Sequence, residues 1–193
     1  MRRRRHLTLF LLTAFLTFVI VCYWMLQRRH IPFARKFAVV KENVLLRSGI
    51  PETPGLQEME RRYRVKTIVA LLNDDEVKQP EFSDEQNFAK QHGIKFIYLR
   101  MGVPDPEQVT QFLEIVNNPA NQPVLVHCWH GAIRTGVLVA IYRIKEQGWP
   151  LQKALDEMGS YGFDLQTIQY KSMLDVILGY ASEAESKVTR TTN

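Results

Sequence analysis

Short apolar runs alternate along the chain with longer segments whose apolar residues recur every three or four positions. The apolar runs predict strands, and the longer segments predict helices with one buried face. The predicted strands cover residues 39–47 (a strand or hairpin edge), 67–72, 95–101 and 124–127. The predicted helices cover residues 53–64, 83–92, 106–116, 134–147, a segment that begins at 151, and 165–181. This alternation predicts an α/β fold with a central, mostly parallel sheet flanked by helices. Ligands of such sheets bind beyond the carboxyl ends of the strands.

Leu7–Leu26 is a segment of another kind, because its twenty residues carry no charge. An apolar helix of about that length crosses the hydrocarbon core of a bilayer. A buried core helix fits less well, since such helices rarely lack a polar face over five turns. A cleaved signal peptide fits less well too, since no small-x-small site follows. We predict a single transmembrane helix, or uncleaved signal, that anchors the chain.

The anchor sets the predicted domain organisation. The predicted parts are a basic flank at 1–6, the anchor at 7–26, a linker at 27–37, a globular domain at 38–182 and a flexible tail at 183–193. Arginines are denser before the anchor than after it, and the positive-inside rule places the basic side in the cytoplasm. The globular domain is therefore expected on the periplasmic or extracytoplasmic side, attached to the membrane.

The net charge of +5 belongs to the N-terminal part of the chain. Eight of the 25 Lys and Arg lie at or before Lys36, whereas all 20 Asp and Glu lie after it, so the remainder holds 17 basic and 20 acidic residues, a net −3. A nucleic-acid-binding domain would carry the opposite sign. We therefore exclude nucleic acid as a partner.

The chemistry of the chain concentrates in the stretch VHCWHGAIRTG, residues 126–136. Cys128 follows a predicted strand and Arg134 opens a predicted helix, so backbone N–H groups and the helix dipole favour an anion in the loop between them. Gly131 permits backbone angles that a side chain forbids. Arg134 supplies a planar fork of donors for two phosphate oxygens. A thiol in that setting ionises easily, and the thiolate can attack the phosphorus of a bound phosphate.

The residues around this loop have predicted supporting roles. Thr135 is expected to hydrogen-bond the sulfur, His127 to orient the loop through its ring N–H groups, and Gly136 to let the helix pack closely on the sheet. The other cysteine, Cys22, lies within the predicted anchor, so Cys128 has no partner for a disulfide framework.

Nucleophilic attack on a phosphate ester also needs an acid that protonates the leaving oxygen. Asp105, in GVPDPEQ, is the best candidate because it follows a strand taken to neighbour that of Cys128. Glu107 is a weaker candidate, and Asp74 and Asp75 are third. The alternative role for Asp105 is that of a helix N-cap, since Asp followed by Pro is a good cap pattern. The sequence leaves both roles open.

HCWHGAIRTG resembles the signature loop of the cysteine-dependent protein tyrosine and dual-specificity phosphatases: His-Cys, five residues, Arg, then Ser or Thr. The resemblance spans roughly Val39–Tyr180. VLLRSGIPE resembles the entry strand of the small atypical branch, and VAIYRIKEQGWPLQKALDEM is similar to the helix pair that follows the loop in bacterial members. The whole chain is most similar to exported or membrane-anchored bacterial tyrosine phosphatases of dual-specificity type.

The resemblance implies a two-step reaction without a metal or another cofactor. Cys128 attacks phosphorus while Asp105 protonates the leaving group, and water then hydrolyses the cysteinyl-phosphate with Asp105 as base. Arg47 is assigned to support of the loop. The implied phosphate-binding residues are Trp129, His130, Gly131, Ala132, Ile133 and Arg134.

The variable loop positions bear on the substrate. Trp129 and Ile133 offer stacking and apolar contact where relatives that act on inositol phosphates carry lysines, which favours an aryl or lipid monophosphate. His130, when protonated, offers contact to a second anionic group. The alternative is that Trp129 and Ile133 pack under the loop. We expect a phosphotyrosine protein as substrate. The alternatives are a membrane lipid such as a phosphatidylglycerol phosphate, a small-molecule monoester, a catalytically dead phosphate-binding module and a sulfurtransferase.

Overall fold

The structure is a computed structural model that describes residues 12–20, 34–164 and 166–191. It divides into two compact units, Met1–Ile31 and Pro32–Asn193. The division falls inside the predicted linker at 27–37.

In the first unit, residues 12–20 form a helix (α1). Its exposed large apolar side chains are Leu12, Phe15, Leu16, Phe18, Val19 and Ile20. The rest of the predicted anchor lies outside the described residues. Within the part of the chain that the structure describes, no helix is both long and apolar enough to cross a membrane. The anchor therefore stays a prediction.

The second unit is a sheet covered by helices. Its strands are β1 (Ala38–Lys41), β2 (Leu45–Gly49), β3 (Thr67–Leu72), β4 (Lys95–Arg100) and β5 (Val124–Cys128). Its helices are α2 (Thr53–Tyr63), α3 (Pro80–Gln91), α4 (Pro106–Asn117), α5 (Ile133–Gln147), α6 (Leu151–Ser160) and α7 (Lys171–Thr191). Single turns of 3₁₀ helix lie at Glu76–Lys78, Pro119–Asn121 and Ile168–Tyr170.

The strand order is β1-β2-β5-β3-β4. β1 pairs with β2 antiparallel, whereas β2, β5, β3 and β4 pair in parallel. The predicted α/β fold is confirmed, with a mixed sheet whose only antiparallel pair among the described strands is at one edge. β3 and β5 are buried at every position, which explains why parallel strands in mid-sheet read as continuous apolar runs.

The two faces of the sheet are covered by different helices. α5 lies against β5 and β2 and carries α6 and α7. α3 lies against β4 on its own side of the sheet, with α2 beside it. Successive side chains of a strand point to opposite faces. Cys128 accordingly shares the core that α5 lines, whereas His127 meets Glu85 of α3.

Three predicted elements have different limits in the structure. The predicted strand at 39–47 is a hairpin of β1 and β2, turned at Asn43 with a φ of 58°. α3 begins at Pro80 rather than Ser83 because proline suits the first helical turn. α7 begins at Lys171, and residue 165 lies outside the described residues.

α7 also continues to Thr191, beyond residue 183, where the predicted flexible tail begins. Ala181 and Ala184 still pack on the core near and beyond the predicted end of the domain. The segment ASEAESK is rich in good helix formers, which extends the helix past its last core contacts.

Candidate active site

The loop at residues 129–132 joins the carboxyl end of the central strand β5 to the N-terminus of α5. Cys128 ends the strand, is 2% exposed and is a free thiol. Its Sγ accepts a hydrogen bond from the backbone N–H of Gly131 at 3.3 Å. The sulfur therefore lies at the floor of the loop, with a peptide donor directed at it.

The carbonyl oxygens of this loop are bound on its outer side. The carbonyl of Trp129 accepts from the backbone N–H of Ile50 at 3.3 Å. The carbonyl of Gly131 accepts from Nη2 of Arg47 at 2.7 Å. In a trans peptide the C=O and the following N–H point in opposite directions. Each outward carbonyl therefore turns the N–H of the next residue towards the concave side of the loop, where an anion would sit.

Position 131 requires a glycine for two reasons, its backbone angles and its close contacts with β2. Its φ is 71°, in the left-handed region. A methyl group at this position would lie 2.6 Å from the carbonyl carbon of Ser48. A methyl group at Gly49 would lie 3.0 Å from the carbonyl carbon of His130. The two glycines let β2 and the loop touch backbone to backbone.

The guanidinium of Arg134 is partly committed to protein acceptors. Nη1 donates to the carbonyl of Leu71 at 2.8 Å. Nη1 and Nη2 each donate to a carboxylate oxygen of Glu76 at 2.5 Å. Of the five N–H donors of an arginine, these contacts use three. The remaining two, one on Nε and one on Nη2, share one edge, which is the fork that a phosphate accepts bidentately.

Glu76 is a functional residue that the sequence patterns did not single out. The carboxamide oxygen of Asn73 accepts the N–H groups of Asp75 and Glu76, both at 3.0 Å, and closes a tight turn directly after β3. Because β3 is the neighbour of β5, that turn lies beside Arg134. The sequence feature that could have indicated Glu76 is the acidic string NDDE directly after the apolar run TIVALL. Of its three acidic residues, the glutamate is the one that contacts Arg134.

Two effects act on the pKa of Glu76 in opposite directions. Burial raises it, but hydrogen bonds from Arg134 and from the backbone of Asn73, with the charges of Arg134 and His130, prevail and lower it. A lowered folded pKa means that the ion pair stabilises the fold above the ordinary glutamate pKa of about 4.3. That contribution is lost as the pH falls through the lowered value.

Asp105 does not follow the strand next to β5, contrary to the prediction, because β3 lies between β5 and β4. Strands are about 4.8 Å apart, so the loop that carries Asp105 starts two strand spacings away. The side chain of Asp105 is exposed and caps α4, accepting the N–H of Gln108 at 2.8 Å. Gln108 in turn accepts the N–H of Asp105 at 3.1 Å, which completes a capping box. The capping role is present, and the acid role stays a prediction.

The weaker acid candidates are exposed. Asp74 is paired with Arg100, and Asp75 accepts from Lys78 at 2.7 Å. Glu107 lies in the first turn of α4. Each of these two aspartates is therefore paired with a cation.

Three supporting residues have surroundings that differ from those predicted. The ring of His127 lies 3.0 Å from Glu85, both 0% exposed, on the face opposite Cys128, so it does not orient the loop directly. Thr135 is buried, and its hydroxyl has no hydrogen-bond partner among the described residues. A methyl group at Gly136 would lie 3.5 Å from the side chain of Met158 of α6, an ordinary contact, so close packing on the sheet does not explain this glycine.

The remaining side chains of the loop differ in their exposure. Trp129 and Ile133 are half-buried, His130 is exposed and Ala132 is buried. In the described part of the chain, no group of three or more His, Cys, Asp or Glu is placed to hold a metal ion. Ile133 packs against the hydrophobic core, as the alternative for this residue predicts. The half-buried Trp129 and the exposed His130 are the side chains left at the rim of the loop.

An anion cradle with a thiol at its floor and an arginine fork beside it defines the class of cysteine-dependent phosphatases. Residues 31–190 match the Tyrosine phosphatase family. The chain belongs to this family.

Two relatives show where the chain lies within the family. It is 35% identical over 127 residues to the inositol diphosphatase SIW14 of Saccharomyces cerevisiae, covering 62% of this chain and 43% of that protein. It is 33% identical over 122 residues to the dual specificity protein phosphatase TpbA of Pseudomonas aeruginosa, covering 62% and 51%. The chain thus spans about half the length of these relatives.

Solved structures of the same two proteins share the fold. The core catalytic domain of SIW14, solved with citrate, has a TM-score of 0.65 at 30% identity, with 84% of this chain and 96% of that one covered. TpbA has a TM-score of 0.61 at 25% identity, with 79% and 96% covered. A TpbA variant solved in complex with pTyr has a TM-score of 0.57 at 25% identity, with 80% and 97% covered.

We predict that Glu76→Gln weakens anion binding without unfolding the chain. The variant keeps the shape of the side chain but removes the charge that fixes Arg134, and a charge-assisted hydrogen bond is worth about 1.5–3 kcal/mol. We expect vanadate affinity and kcat/KM to fall by about 10–100-fold. Asp75→Asn, one residue away, is the matched control, because the Asp75 side chain bonds Lys78 and not Arg134. An effect of Glu76→Gln no larger than that of Asp75→Asn would show that Arg134 holds its position unaided.

Proposed function

We propose that the protein is a phosphomonoester hydrolase that acts through a cysteinyl-phosphate. The observation that carries the proposal is the contact of Cys128 Sγ with the N–H of Gly131 at 3.3 Å, in a loop that turns its next peptide donors to the same side. The bonding of Arg134 adds the open edge of a guanidinium. Together these groups match a phosphate dianion and a nucleophile in line with phosphorus.

The proposed chemistry has two displacement steps. The Cys128 thiolate forms an S–P bond while the bond from phosphorus to the ester oxygen breaks, and Asp105 gives that oxygen its proton. Water then forms an O–P bond while the S–P bond breaks, and Asp105 takes the proton of the water. Inorganic phosphate leaves and the thiolate is restored, so atoms and charge balance.

The proposed substrate is a phosphotyrosine protein, with dual specificity as the broader class. An aryl phosphate suits a rim that holds Trp129, and TpbA, which shares the fold, has been solved with pTyr. Cations for a second phosphate are scarce around the loop. Arg47 already donates to Gly131, and Arg100 is paired with Asp74.

A second candidate is hydrolysis of an inositol diphosphate. It is favoured by the 35% identity to SIW14, which carries that name, and His130 is the rim residue able to meet a second phosphate. A membrane lipid monophosphate is the third candidate.

We also propose that the N-terminal segment anchors the protein to a membrane, with the domain on the extracytoplasmic side. The exposed apolar side chains of residues 12–20 support an apolar environment for this segment. A reporter fused to the C-terminus that is active only outside the cytoplasm should give a signal in the membrane fraction. A soluble or cytoplasmic signal would contradict the anchor or its orientation.

We expect the purified protein to hydrolyse p-nitrophenyl phosphate. The activity should be blocked by vanadate, unaffected by a chelator and lost in Cys128→Ser, because the hydroxyl is a far weaker nucleophile than the thiolate. Initial rates for wild type and variant measure this directly. Activity that survives the substitution and disappears with chelator would remove the cysteinyl-phosphate mechanism.

The substrate classes are separated by comparing kcat/KM on phosphotyrosine peptides, inositol diphosphates and phospholipid vesicles. The peptides should be the best substrates. Equal or better turnover of either competitor would replace the protein substrate with that one.

Asp105→Asn separates the acid role from the capping role. Asparagine caps helices as well as aspartate does, so thermal stability should change little. It cannot donate a proton as a carboxylic acid does, so kcat should fall by about 10²–10⁴-fold. Glu107→Gln, two residues on, is the matched control. A fall of less than about threefold in Asp105→Asn would leave Asp105 as a cap alone.

A further inference from the structure

A second arginine reaches the phosphate loop from the neighbouring strand. Arg47 of β2 is 1% exposed and is among the largest fully buried side chains. Its Nη2 donates to the carbonyl of Gly131 at 2.7 Å, and its guanidinium carbon lies 3.7 Å from the ring centroid of Tyr161. Nε and Nη1 are buried without a hydrogen-bond partner among the described residues.

Such a residue is costly for a small domain. An arginine stays charged when it is buried, and a buried charge without full partners opposes folding. Burial lowers the pKa of Arg47, and Tyr161, Glu157 and Cys128 oppose that effect through their charges, whereas Arg143 adds to it. No carboxylate among the described residues forms an ion pair with Arg47 at contact distance. A fixed cation is therefore kept close to the sulfur.

The sheet register explains why Arg47 and Cys128 share one side of the sheet. Arg47 is the Cα partner of Val126, and Gly49 is the partner of Cys128. Side chains at alternate positions of a strand point the same way, and Val126 and Cys128 both line the core under α5. Arg47 therefore lies on the face of the sheet from which the sulfur of Cys128 projects.

We propose that Arg47 is a positioning residue of the phosphate loop and a permanent counter-cation for the Cys128 thiolate. Its bond to the carbonyl of Gly131 keeps the next peptide N–H directed at the anion. Its charge favours the ionised sulfur from within the core, independently of Arg134 and whether or not a substrate is bound. This role rests on the proposed function and adds to it a second source of thiolate stabilisation.

Arg143 is the comparison residue for Arg47, because it is a buried arginine with structural contacts alone. It is also buried, stacks over an aromatic ring (Trp149, 4.2 Å to the centroid), and donates to both carboxylate oxygens of Glu157 at 3.0 and 2.6 Å. It does not donate to the loop; its other bonds go to Val40 and Gln147. Substitution of Arg143 should lower the stability of the fold and leave the pH dependence of Cys128 alkylation unchanged.

The test measures the pH dependence of Cys128 alkylation by iodoacetamide in the full chain. Mass spectrometry of the peptide that contains Cys128 separates it from Cys22. The variants are Arg47→Lys, which keeps a charge and a donor, Arg47→Gln, which keeps a donor alone, and Arg47→Met, which keeps neither. The other charged and titratable groups around the loop and Arg47 are the same in every Arg47 variant: Arg134, Glu76, His130, Tyr161, Glu157 and Arg143.

We expect the alkylation midpoint to rise by about one pH unit in Arg47→Gln and Arg47→Met, which corresponds to about a tenfold loss of thiolate at a fixed pH below the midpoint. Arg47→Lys should fall between wild type and Arg47→Gln, because a buried lysine loses its charge more readily than an arginine. Vanadate affinity should fall most in Arg47→Met, because that variant keeps neither a charge nor a donor. Arg143→Met should lower the melting temperature with an unchanged midpoint.

The proposal is overturned if Arg47→Gln titrates like wild type, or if Arg143→Met shifts the midpoint as far as the Arg47 variants do. Should Arg47→Met fail to fold, the Lys and Gln pair decides the question. The proposed function fails separately, if wild-type hydrolysis does not depend on Cys128. The alkylation profile needs no turnover and still tests Arg47 in that case.

Discussion

The constraint on which the site depends is that a four-residue loop must turn its peptide N–H groups inward and its carbonyl oxygens outward. Outward carbonyls need donors, since a buried unpaired carbonyl is costly. Here the donors come from the chain around β2: the N–H of Ile50 and the guanidinium of Arg47. This supply requires β2 to lie parallel to β5 in the observed register, with Gly131 packed on the backbone at Ser48 and Gly49. The position of β2 is thus part of the binding site rather than a frame around it.

The electrostatics of the site follow from the other neighbour of β5. β3 ends in a turn that brings Glu76 to Arg134, and the pair leaves one edge of the guanidinium open. A carboxylate beside a phosphate site lowers the net attraction for anions, but it fixes the direction of the remaining donors. Fixed donors cost little reorganisation when charge develops in the transition state. We expect the gain from fixed donors to outweigh the repulsion by the carboxylate, and Arg47 adds positive charge from inside the core.

Local sequence patterns correctly predict the features that depend on residues close together in the chain. The apolar runs locate β3, β4 and β5, and the spacing of Cys128, Gly131 and Arg134 by itself indicates an anion cradle. The failures are non-local. The order β5-β3-β4 cannot be read from a short stretch of sequence. The patterns therefore place the strand before Asp105 next to β5, which is wrong, and they do not connect Glu76 with Arg134. The prediction that His127 orients the loop overlooked strand alternation, which places its ring on the face of the sheet opposite Cys128. On that face the ring lies beside Glu85.

The cradle itself cannot select a substrate, because every phosphate monoester presents the same dianion to it. Selectivity must arise at the rim, from Trp129 and His130, and from the loop that carries Asp105. The chain shares its fold with SIW14, named an inositol diphosphatase, and with TpbA, named a dual specificity protein phosphatase, so one fold occurs in proteins with different named activities. For the proposed aryl phosphate, Trp129 offers the leaving group a flat apolar contact, whereas a second phosphate would meet His130 among the described side chains of the loop.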